Sequence, residues 1–83
     1  MQKQEVHMGA LIDEVKKSRG LPPPVVARAI RESAGVTQQR LADELHVHWT
    51  TVARWERGMR APRGNRRLAY ADLLDQLRDT VTR

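Results

Sequence analysis

Six arginines (Arg54, Arg57, Arg60, Arg63, Arg66 and Arg67) crowd the stretch from position 54 to 67, with Glu56 the only acid among them. Guanidinium groups at this density create a local positive field suited to phosphate, and a single well-placed one can bond guanine O6 and N7 together. The net charge of +5 is therefore unevenly spread. Asp13, Glu14, Lys16, Lys17 and Arg19 near the start are of mixed sign, as are Asp72, Asp75, Arg78 and Asp79 near the end. Other chemistry finds little footing. Thr50 and Thr51 have no general base placed to activate them, and neither paired carboxylates nor a glycine-rich phosphate loop occurs. His46 and His48 stand two apart, which puts them on different sides of a helix, and no third ligand is spaced to join them. No enzyme activity, metal or cofactor is expected.

The elements that must carry these arginines read as helices throughout, since nothing of strand length alternates with period two. A first amphipathic stretch gathers Met8, Leu11, Ile12 and Val15 on one face and stops at Gly20-Leu21-Pro22-Pro23-Pro24. Prolines cannot continue a helix, so this run is a stiff connector. Residues 1–20 are thus expected to form an N-terminal helical arm, 21–24 a connector, and 25–83 the main domain. Within it a second helix should run from Pro24 to Ala34, burying Val26, Ala27, Ile30 and Ala34. Gly35 ends it, and Thr37 is a natural N-cap for a third helix over Gln38–Leu45 with Leu41, Ala42 and Leu45 inward. A fourth should span Trp49–Arg57 with Val52, Trp55 and Met59 inward. After Arg60-Ala61-Pro62 a last helix carries Leu68, Tyr70, Leu73, Leu74, Leu77 and Val81.

The fold expected is an all-α, compact bundle of about five helices. Eighty-three residues are near the lower limit for a self-sufficient core, so a homodimer is expected. There are no cysteines, no apolar run long enough to span a bilayer, and no apolar block behind Met1 of the kind a secretory signal needs. A soluble, cytoplasmic protein without membrane contact is expected, nucleoid-associated when bound.

Two short helices joined by three or four residues are a helix-turn-helix candidate. Ala42 is small where the helices must cross. Val52 and Trp55, spaced i,i+3, give the second helix its inward stripe. At about 100° per residue Thr50, Arg54 and Arg57 then share the outward face, with Trp49 at its N-terminal edge, where recognition helices reach base edges.

The run from Ala29 to Ala42, with its Gly35-Val36-Thr37-Gln38-Gln39, resembles the opening of the Cro/repressor-type helix-turn-helix family, the lambda-repressor-like fold. Val52-Ala53-Arg54-Trp55-Glu56-Arg57-Gly58-Met59-Arg60-Ala61-Pro62 resembles its close. The likeness covers about Val25 to Leu77. A proline-led first helix and the Arg-Gly, Tyr-Ala and Leu-Leu pairs of the tail look typical of small actinobacterial or actinophage members. The resemblance implies double-stranded DNA as partner. It also implies that Gln38 contacts phosphate or a base, that Trp49, Thr50 and Arg54 read the major groove, and that His48 precedes them as a polar contact. Arg31 and Glu56 match an internal salt bridge of some members, and Glu56 does fall on the inward side between Val52 and Met59. Arg57, Arg60 and Arg63 lie towards the helix exit, where phosphates are expected. Two departures stand out: His46 occupies a position that is often glycine, and His48 replaces the usual small hydroxyl cap while Trp49 replaces a glutamine-like reader. The function expected is a sequence-specific transcriptional regulator, a repressor acting on an operator. The alternatives are an antitoxin-like module holding a protein partner through its N-terminal helix, and a phage factor that bends DNA for excision.

Overall fold

The computed structural model describes residues 20–82. The expected N-terminal helix and arm lie outside the described residues. Four α-helices follow: α1 Pro24–Ser33, α2 Gln38–Leu45, α3 Trp49–Glu56 and α4 Gly64–Thr82, and no strand occurs among the described residues. None of these helices is long and apolar enough to cross a membrane.

Each boundary follows from local chemistry. Proline opens α1 at no loss, because the first helical N–H has no intrahelical partner anyway. Thr37 opens α2 by accepting the Arg40 N–H on Oγ1 at 3.0 Å. The exits of α1, α2 and α3 share one closure, a left-handed residue followed by an amide that reaches back to the last turn. Gly35 at φ 72° lets Val36 N–H reach Arg31 O at 3.1 Å, and Gly58 at φ 73° lets Met59 N–H reach Arg54 O at 3.0 Å. The α2 exit does the same without glycine: His46 stands at φ 57°, and Val47 N–H reaches Ala42 O at 3.0 Å.

Ala27, Ile30, Leu41, Ala42, Leu45, Val52, Trp55, Tyr70 and Leu74 form the core, with Leu21, Val36, Val47, Leu73 and Leu77 packed half-buried around it. The Trp55 and Tyr70 rings meet at 4.8 Å between centroids, tilted by 36°. Fully buried Ala42 allows α2 and α3 to approach closely.

Two apolar residues, Met59 and Val26, depart from the sequence reading. Met59 is exposed, because α3 stops at Glu56 and the left-handed Gly58 redirects the chain before the helical period can bring Met59 inward. Val26 is partly exposed, because the buried stripe of α1 runs through Ala27, Ile30 and Arg31 and leaves Val26 about a quarter turn away. Leu68 lies on the side of α4 opposite its buried stripe and is exposed, as is Val81 in the last turns.

Candidate nucleic-acid interface

Residues 46–48 separate α2 from α3 and set the angle at which α3 is presented. The turn has two fixed points, the left-handed His46 and the N-cap His48. Thr50 N–H donates to His48 Nδ1 at 3.3 Å, and Thr50 Oγ1 lies 2.8 Å from the same nitrogen. The Trp49 ring leans on the imidazole, with centroids 6.0 Å apart.

Inward, α3 is anchored by a buried ion pair. Arg31 Nε donates to Glu56 Oε2 at 2.6 Å and Arg31 Nη2 to Glu56 Oε1 at 3.0 Å, a bidentate arrangement. The third guanidinium nitrogen, Nη1, donates to the Val36 carbonyl at 2.7 Å, and Gln38 Nε2 donates to Glu56 Oε1 at 3.0 Å. One carboxylate thus ties α3 to both α1 and α2. The Glu56 hydrogen bond raises the Arg31 pKa despite the opposing effect of burial. Tyr70 closes this region from α4; burial, with a smaller contribution from Glu56 and an opposing one from Arg31, pushes its phenol up to about 12. Its hydroxyl is buried and has no hydrogen-bond partner among the described residues.

Outward, α3 shows Thr50 half-buried, Arg54 and Arg57 exposed, and Trp49 exposed at 44%. Arg60 and Arg63 follow in the exposed segment before α4, and α4 begins with Arg66 and Arg67 in a first turn that contains no acid. The positive end of the α4 dipole adds to this field. Pairing separates these arginines from others. Arg28 pairs with Glu32, Arg40 with Glu44 and Arg31 with Glu56, whereas Arg54, Arg57, Arg60 and Arg63 form no ion pair with any described residue.

His48, Trp49, Thr50, Arg54 and Arg57 therefore lie along one helix and its cap, with Arg60 and Arg63 continuing from its exit. Gln38 is different in part, since its amide nitrogen is engaged inward by Glu56. Sequence reasoning missed that bond, the Val36 carbonyl contact and, though it set His48 at the cap position, the bond from Thr50 N–H to the imidazole. Only the last left a signal, because position 48 is where a capping side chain was due.

The geometry is that of a helix-turn-helix: two short helices crossing at a small residue, the second with one face locked inward and the other free. A family model described as Helix-turn-helix matches residues 28–77, more than half of the chain. The protein belongs to the Cro/repressor-type helix-turn-helix family and is a DNA-binding regulator. No curated protein and no solved structure matches the chain.

Proposed function

We propose that this protein is a transcriptional repressor that occupies an operator by inserting α3 into the major groove of duplex DNA. The observation that carries the reading is the set of arginines, without an ion pair among the described residues, on and beyond the outward face of a helix whose inward face is held by a buried ion pair. Arg54 reads a guanine, Thr50 and Trp49 meet neighbouring base edges, and Arg57, Arg60 and Arg63 bind phosphates. A single module of this kind buries only about 600–1,000 Å² on DNA. Two copies on a pseudo-palindrome, with half-sites about one helical turn apart, give the needed affinity. The exposed Val25, Val26, Leu68 and Val81 supply apolar surface for such a homodimer.

The test is fluorescence anisotropy with the promoter region of the protein's own gene and with a scrambled duplex, across a salt series. The expected outcome is a preference of about a hundredfold or more for the promoter at physiological salt, removed by Arg54→Ala. Equal binding to both duplexes, collapsing with salt, would reduce the arginines to backbone electrostatics.

A further inference from the structure

A histidine nitrogen that accepts an amide N–H carries no proton, and in the neutral ring the other nitrogen then carries it. At the start of α3, Thr50 N–H donates to His48 Nδ1. The cap therefore selects the Nε2–H tautomer. The Thr50 hydroxyl, 2.8 Å from the same Nδ1, donates its proton there too, which leaves its oxygen lone pairs facing away from the ring. His48 is exposed and Thr50 is half-buried on the outward face, at the helix end that approaches base edges.

Building on the DNA-reading role proposed above, we infer that His48 and Thr50 form a reading pair of fixed polarity, His48 Nε2–H offering a donor and Thr50 Oγ1 an acceptor. In the major groove, His48 selects an acceptor edge, such as guanine O6 or N7 or thymine O4. Thr50 selects an exocyclic amine, adenine N6 or cytosine N4. The cap of the recognition helix is thereby a specificity determinant, with helix capping on Nδ1 and base choice on Nε2 of the same imidazole.

Two experiments on the full chain test this. Long-range nitrogen–proton NMR of the free protein should show the His48 proton on Nε2; a proton on Nδ1 overturns the inference. Selection from a randomised duplex pool then compares the wild type with His48→Asn, Thr50→Val and Thr50→Ser. Asparagine is itself a strong N-cap, so His48→Asn keeps the helix while moving the donor. Thr50→Val keeps the shape and removes the acceptor, which should weaken the preference for adenine or cytosine at one position per half-site about two- to tenfold. Thr50→Ser should restore it, and His48→Asn should change the adjacent position. A wild-type consensus retained unchanged by His48→Asn or Thr50→Val overturns the inference while leaving the DNA-reading role standing. A wild type that enriches no consensus overturns both.

Discussion

The two faces of α3 solve opposite electrostatic problems over a span of eight residues. On the inner face one carboxylate, Glu56, accepts from Arg31 and Gln38 and is almost wholly removed from water. On the outer face Arg54 and Arg57 stand in solvent and form no ion pair with any described residue. The inner charge is satisfied within the chain, and its removal should be felt as instability. The outer charges await a partner, and their removal should be felt only in binding. The inner face holds the helix in place, and the outer face is the one proposed to meet DNA.

Glu56→Ala should show the largest effect. It leaves the Arg31 guanidinium buried without its carboxylate, and urea unfolding should record a loss of about 3–5 kcal/mol. A companion Arg31→Met should recover part of that loss, because the stranded charge goes with it. Arg54→Ala is the counterpart on the outer face. Its stability should stay within about 0.5 kcal/mol of wild type, while discrimination between operator and scrambled duplex falls by about 1–3 kcal/mol in anisotropy titrations. A matching stability loss in Arg54→Ala would erase the division between the faces.

Tyr70 sharpens the inner side through pH. Its phenol is raised from 10.0 to about 12 on folding. The folded state therefore holds the proton longer than the unfolded chain, so this contribution is intact below pH 10 and is lost as pH rises from about 10 through 12. Thermal melts of Tyr70→Phe should lack that alkaline fall. At neutral pH the variant should be no less stable than wild type, since it removes a buried hydroxyl that has no partner among the described residues. The smallest effects belong to Arg60→Ala and Arg63→Ala. Each should reduce the slope of log affinity against log salt by about 1, uniformly across DNA sequences.

The sequence disclosed the inner face more readily than the outer. Val52 and Trp55 are read from their i,i+3 spacing, and Thr37 from the capping chemistry of its hydroxyl. Arg31 and Glu56 could be paired through the family resemblance although they lie far apart along the chain. Gln38 was harder to read. Whether its amide turns towards Glu56 depends on how closely α2 crosses α3, which no local pattern records. Met59 was misplaced because helical periodicity was carried past Gly58, where the left-handed backbone had already ended the helix. His48 as a cap was obscured by type, since imidazole is not among the preferred capping groups and its reach to Thr50 appears only with coordinates. The outer contacts depend on a DNA sequence that the chain does not contain.

The Arg31–Glu56–Gln38 network also bears on the thermodynamics of complex formation. Because α1, α2 and α3 are already hydrogen-bonded to one another through a single carboxylate, the proposed docking of α3 into the groove should need no backbone reorganisation. On the proposed reading, the ordering that remains would fall on the long side chains of Arg54, Arg57, Arg60 and Arg63, at about 0.5–1.5 kcal/mol for each one immobilised. Association should accordingly behave as rigid-body docking, with an entropy loss carried by side-chain rotamers and a heat-capacity change too small for coupled folding of this segment.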